Sequence, residues 1–149
     1  MDASVDVSSI DTAVKPRDEH LRTPDFFNVP KFPTATFKST GVEVLSKTEG
    51  IVTGDLTICG VTKSVSFKGT YNGYGVDPQG GKRAGFHAEA SIDRTLFGLK
   101  YNATLPSGIT ALGTDVTVVL DLELTEVDPA KKTEAAGKTE STKTADPTK

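Results

Sequence analysis

From Asp115 to Val127 the chain reads "DVTVVLDLELTEV". Val116, Val118, Leu120, Leu122 and Leu124 fall on one side, Thr117, Asp121, Glu123 and Thr125 on the other, and Val119 is the one exception. A period of two places successive side chains on opposite faces, so the segment predicts a half-buried β-strand. The same parity recurs upstream, where Ala84, Phe86, Ala88, Ala90 and Ile92 alternate with polar partners in "AGFHAEASID". Leu56 and Ile58 alternate before Cys59-Gly60, and Val65, Phe67 and Tyr71 after it, which predicts a hairpin turning at that dipeptide. Ala35, Phe37 and Ser39 share a face, whereas Val42 and Val44 carry the opposite parity; a β-bulge near Thr40-Gly41 reconciles the two. Val5 and Val7 mark a first strand over Ala3 to Ser9, and "NGYGVDPQGGKR" predicts a long turn.

One stretch breaks this rhythm, "RDEHLRTPDFFNVPKFPTATFKS" from Arg17 to Ser39. Pro16 suits the start of a helix, where its missing N–H matters least. The helix is expected over Arg17 to Arg22, with Pro24 stopping it. So short a helix must be held by packing, and Phe26 and Phe27 are the anchors at hand. Arg17, Asp18, Glu19 and Arg22 are expected to face water or pair locally, each exposed pair contributing little.

The body is therefore antiparallel β with one apolar and one wet side. A sandwich and a closed barrel both satisfy that pattern. Alanine at Ala84, Ala88 and Ala90 tips the choice toward a barrel, since small inward residues leave room for an apolar ligand. The competing expectation is that Phe37 and Phe67 fill the gap.

Composition sharpens the boundaries. The 149 residues suggest one domain, residues 1–127, followed by a tail. The last 22 residues, Asp128 to Lys149, contain no Val, Ile, Leu, Met or aromatic residue and are expected to be disordered. Their five Lys and four Asp/Glu leave −4 of the net −3 charge on the body, which is no footprint for nucleic acid. No stretch approaches the length of a membrane helix. "MDASVDVSSID" lacks the basic start and apolar run of a secretory signal, so the chain as written reads as cytoplasmic; a start further upstream would make it periplasmic or secreted.

Catalytic chemistry is thinly represented. Cys59 is alone, so no intramolecular disulfide is possible, and His20 and His87 stand in no metal-ligand spacing. "GVDPQGGKRAG" lacks the phosphate-loop pattern and precedes a strand. No Ser/His/Asp arrangement can be built around Ser107. Leu96 and Phe97, after Asp93-Arg94, read as a structural plug at one end of the sheet. No metal or cofactor is expected.

Taken in order, "SSIDT", "RDEHLRTPDFFNVPKFPTATFKS", "VTGDLTICGVTKSVSF", "RAGFHAEASIDRTLFGL" and "VTVVLDLEL" resemble the YceI-like family of bacterial lipid/polyisoprenoid-binding proteins, over nearly all of Met1 to Val127. The resemblance implies an all-β, lipocalin-like antiparallel barrel of eight strands, with a short helical excursion where Arg17 to Val29 lies here. It also implies strands upstream of "ASVDVSSIDT" that this chain does not contain. About five or six strands are expected in the chain, a barrel short of its full set. The last strand is then unpartnered on one side, and two such open sheets could close as a homodimer.

On that basis the function expected is non-catalytic binding of a long apolar ligand, of polyisoprenoid type, in the lumen. By strand parity the lumen-facing set is Phe37, Leu56, Ile58, Val65, Phe67, Phe86, Ala88, Ala90, Ile92, Val118, Leu120 and Leu122, with Phe26 and Phe27 as cap. Two alternatives stand beside it. One is an enzyme acting on such a lipid, for which Arg83, His87 and Arg94 are the residues to try. The other is an interaction protein recruiting a partner along the exposed last strand.

Overall fold

The computed structural model describes residues 1–126; the expected tail, 128–149, lies outside them. Six strands form one antiparallel sheet in chain order: β1 (Asp2–Asp6), β2 (Thr34–Val44), β3 (Glu49–Ile58), β4 (Val61–Val76), β5 (Lys82–Asp93) and β6 (Asp115–Thr125). The sheet curls into a half-barrel. Neither β1 nor β6 has a strand on its outer side among the described residues. The incomplete barrel expected from the sequence is the architecture found.

Local chemistry sets the turns. Cys59 and Gly60 both adopt positive φ (+51° and +75°), the geometry that matches a two-residue turn to the twist of its flanking strands. Ile58 and Val61 pair directly across it. The bulge in β2 lies between Ser39 and Gly41, where the sequence places it, and restores Val42 and Val44 to the face of Phe37. A second bulge, between Tyr71 and Gly73, has no counterpart in the sequence reading. Gly73 takes φ +124° there, so β4 passes the irregularity and pairs with β5 as far as Val76–Lys82. "NGYGVDPQGGKR" is thus mostly strand, and only Asp77 to Gly81 turn. The Asp77 carboxylate closes that turn by accepting from the N–H groups of Gln79 (2.9 Å) and Gly81 (2.7 Å).

The strands that leave one end of the sheet do so by long excursions. β1 stops at Asp6, whose carboxylate accepts from Ser8 N–H at 2.8 Å and caps a 3-10 turn, Val7–Ser9. β5 stops in the same way: Asp93 accepts from Thr95 N–H at 2.8 Å and caps a 3-10 turn, Arg94–Phe97. Helix α1 (Lys15–Leu21) lies in the first excursion, starting two residues before the expected Arg17 because Pro16 sits within its first turn. Both excursions and the Cys59-Gly60 turn gather over this end.

There the core forms. Ile58, Ile92, Phe97 and Leu99 are its buried centre, with Phe27, Ala35, Leu56, Val61, Val65 and Val118 packed around it. Phe97 is only 2% exposed and is the plug that the sequence suggests. Leu96 is not: it is 57% exposed, because the 3-10 turn points adjacent side chains in different directions. Truncating Phe97→Ala removes the largest buried side chain and leaves a cavity. We expect a loss of about 3–5 kcal/mol in urea-unfolding free energy, against about 0.5 kcal/mol or less for Leu96→Ala.

Candidate functional site

The cross-strand register puts all twelve residues of the expected lumen set on one face of the sheet. Phe37 pairs with Leu56, Tyr71 with Phe86, Phe86 with Leu122, Ala88 with Leu120, and Ala90 with Val118. The face divides in two along its length. Toward the capped end Phe67, Ala90, Ile92 and Ile58 are buried, and Phe37 and Phe67 meet edge to face with ring centroids 5.3 Å apart. A Cβ added at Gly54 would lie 2.5 Å from the Phe37 ring. Here the phenylalanines do fill the space that small residues leave.

Beyond them the trough is open. A Cβ added at Gly69 would approach only backbone oxygens, at 3.7 and 3.8 Å, so no side chain covers it. Gly69 lies between Gly50 and Ala88 in the register, and Tyr71, Phe86, Leu120 and Leu122 stand around them, half-buried. Farther out, Tyr74, Val76, Leu124, Val42 and Val44 are exposed, Val44 to 78%. From Ala90 to Lys82, eight residue-to-residue rises along β5 of about 3.3 Å each give a trough about 26 Å long. Parity among bulky residues picks out Phe86, Ala88, Leu120 and Leu122 from this half but passes over Gly50 and Gly69. Their shared parity with Val52 and Phe67 is the signal that would have included them.

The cap is tied down by the charges that looked superfluous. Asp18 is buried (8% exposed) rather than in water, and accepts from Thr12 N–H (2.8 Å) and Thr12 Oγ1–H (2.5 Å). Arg17 donates to Thr12 Oγ1 and to its carbonyl, at 2.8 and 2.9 Å. Arg22 donates to the carbonyls of Ser8 (3.1 Å) and Ile10 (2.5 Å). "RDEHLR" therefore fastens "SSIDT" to the helix; of its charges Arg17 and Glu19 behave as expected, both exposed, with Glu19 3.9 Å from Lys15.

The two expected cap residues part company: Phe27 reaches the core, whereas Phe26 packs against His20 and Tyr101, with centroids 5.0 and 4.9 Å away. His20 completes that group through Asp25, 3.0 Å from its Nε2. Cys59 is half-buried below, its thiol donating to the Phe27 carbonyl at 3.4 Å, and burial pushes its pKa up.

Arg83, His87 and Arg94 do not converge. Arg83 and His87 lie on the outer face, Arg83 bridging Asp77 and Glu123 and His87 Nδ1 standing 2.7 Å from Asp121. A depression of about 420 Å³ beside Arg83 is lined by Asn72, Gly73, Gly75, Asp77, Gly85 and Glu123, with Tyr74 and Val76 at its side. Arg94 is buried and donates to the carbonyls of Gly113, Leu99 and Tyr101 at 2.5–2.9 Å, holding the long β5–β6 connection. Among the described residues no group of three or more His, Cys, Asp or Glu is arranged to hold a metal, and no helix is long and apolar enough to cross a membrane.

A curled antiparallel sheet, plugged at one end and apolar along its inner face, defines a barrel-type domain with a trough. The YceI-like domain matches residues 1–124, and the chain belongs to that family. It is 46% identical over 100 residues to Protein YceI of Escherichia coli, covering 67% of this chain and 52% of that protein. It is 50% identical over 84 residues to a UPF0312 protein of Pseudomonas putida, covering 56% and 44%. The chain thus spans about half the length of these relatives. The crystal structure of the YceI protein of Campylobacter jejuni superposes with a TM-score of 0.76 at 28% identity, over 85% of this chain and 72% of that one.

The cap anchor gives a pH test. The Thr12 hydroxyl, then the Thr12 N–H and the charges of Arg22 and Arg17, hold the Asp18 carboxyl below its ordinary range, with burial opposing them. A lowered folded pKa stabilises the fold above the unfolded value, about 3.9 for Asp, and that contribution is lost as pH falls through the folded value. Asp18→Asn should therefore lower Tm at pH 7, and the gap to the wild type should close as melts are taken progressively below pH 4. A gap independent of pH would assign Asp18 a packing role alone.

Proposed function

We propose that this domain is a non-catalytic binding module that lays a long apolar chain, of polyisoprenoid type, along its inner face. The observation that carries the reading is the open half of the trough. Gly69 and Ala88 withhold side chains in the middle of a face otherwise made of Tyr71, Phe86, Leu120 and Leu122, whereas at Gly50 a Cβ would meet the Glu43 carbonyl at 2.9 Å. A sheet built only for its own stability gains by filling such a row, and at the other end Phe37 does so over Gly54. Burial of a chain would contribute about 0.8 kcal/mol per CH₂ removed from water, enough for tight binding without any catalytic group. Membership of the YceI-like family supports the same reading.

The trough is one-sided, and its closure falls to strands added at β1 and β6, from a longer chain or from a second copy. Filling the open row tests the pocket: Ala88→Leu should leave the circular dichroism spectrum unchanged and weaken uptake of a long polyprenol by at least about tenfold, about 1.4 kcal/mol. Unchanged uptake would place the ligand elsewhere.

A second reading concerns the β6 edge, eleven residues long and unpaired on its outer side among the described residues. Val119 is apolar on the otherwise wet face and half exposed. A lysine on an edge strand discourages pairing. Val119→Lys should reduce any dimer seen by native mass spectrometry while leaving polyprenol uptake intact; a dimer that persists would rule out association along β6.

A further inference from the structure

We infer that the outer mouth of the trough takes the anionic head group of an amphiphile, with Lys82 as its receptor; this rests on the trough reading above. By register, the charged residues on the inner face are Lys63, Lys82 and Glu126. Lys63 stands at the capped end, between Val61 and Val65, which pack on the core. Lys82 and Glu126 stand at the opposite end, where the trough opens, with Lys82 Nζ 2.9 Å from Glu126 Oε2 and the Glu126 N–H donating to the Lys82 carbonyl at 3.1 Å. A chain lying in the trough with its tail toward Phe67 therefore brings its head to this pair.

The two partners are not equally fixed. Lys82 is the first residue of β5, held in the ladder opposite Val76, whereas Glu126 follows the last residue of β6. Both side chains are more than half exposed, and ion pairs so placed are weak and easily exchanged. Tyr74 pairs with Ala84, two residues from Lys82 on the same inner face, and is 59% exposed. Once Glu126 yields, an ammonium and a phenol O–H remain, two donors at the end of an apolar track. That set suits a carboxylate or phosphate oxygen.

The test uses four probes of one chain length below their micellar concentrations: palmitate, hexadecyl phosphate, hexadecanol and hexadecyltrimethylammonium. Binding is followed by calorimetry to the full chain and to Lys82→Met, Lys82→Arg and Glu126→Gln, each checked for an unchanged melt. The anionic probes are expected to bind at least about tenfold more tightly than the alcohol, a charge-assisted hydrogen bond's worth. Lys82→Met should erase that advantage and leave the alcohol's affinity unchanged; Lys82→Arg should keep it, and Glu126→Gln should increase it. The ratio of palmitate to hexadecyl phosphate separates a carboxylate head from a phosphate one. Equal affinity for all four probes, or an anion preference untouched by Lys82→Met, overturns the head-group assignment and leaves the trough standing. Preference for the ammonium probe overturns it in favour of Glu126. Failure of every probe to bind overturns the trough reading itself.

Discussion

A single sheet with one apolar face has nothing of its own to cover that face, and everything else in this domain follows from that constraint. A sandwich supplies a second sheet, and a closed barrel curls until its own strands meet. Here the sheet curls but its edges stay apart, so cover has to come from the connections. Both long ones, from β1 to β2 and from β5 to β6, leave the same end, and the hairpin at Cys59-Gly60 turns there as well. Phe27 from one and Phe97 from the other meet Ile58 and Ile92. Each such side chain, fully buried, is worth about 1.5–3 kcal/mol. Stability is concentrated at one end because that is where the chain has residues to spend on cover.

Neither connection could hold its position by apolar contact alone, since each is mostly loop. Polar anchoring completes them by the same device. In the first, Arg22 gathers two carbonyls of the segment after β1 and Asp18 takes two donors from Thr12. In the second, Arg94 gathers three carbonyls from the loop that follows β5. A guanidinium presents a rigid fork of donors and so satisfies several irregular carbonyls at once, which a lysine cannot reproduce. The buried polar groups of the capped end are thereby paired, as a low-dielectric setting demands.

Alternation was sufficient to read β5 and β6, the Cys59-Gly60 hairpin and the β2 bulge, because each is announced by side chains that repeat every two residues. Where the signal lies in the backbone it was lost. The stretch from Asn72 to Val76 looks like a turn because Gly73 and Gly75 are turn residues, yet Gly73 is what permits a bulge inside a continuing strand. Gly69 is silent to a count of apolar positions although it leaves the middle of the trough open. Asp18 illustrates a different limit: its carboxylate is held by the N–H and hydroxyl of Thr12, outside the helix, which no local pattern encodes. Leu96 and Phe97 are neighbours of similar hydrophobicity, and only the 3-10 geometry decides which one goes inside.

The open half of the face is best understood as the counterpart of the plugged half. Both are built from the same strands, so the difference lies in what sits on them: Phe37 and Phe67 at one end, glycine and alanine at the other. Removing side chains from the middle of a sheet forgoes burial and raises the entropy lost on ordering, so it is unfavourable unless something else fills the space. Val42, Val44, Tyr74 and Val76 make the same point at the rim, being apolar side chains on the inner face that the described residues leave exposed. On the function proposed above, the row over Gly69 would take a molecule narrower than a strand and without hydrogen-bonding needs along its length, which is the physical description of a hydrocarbon chain.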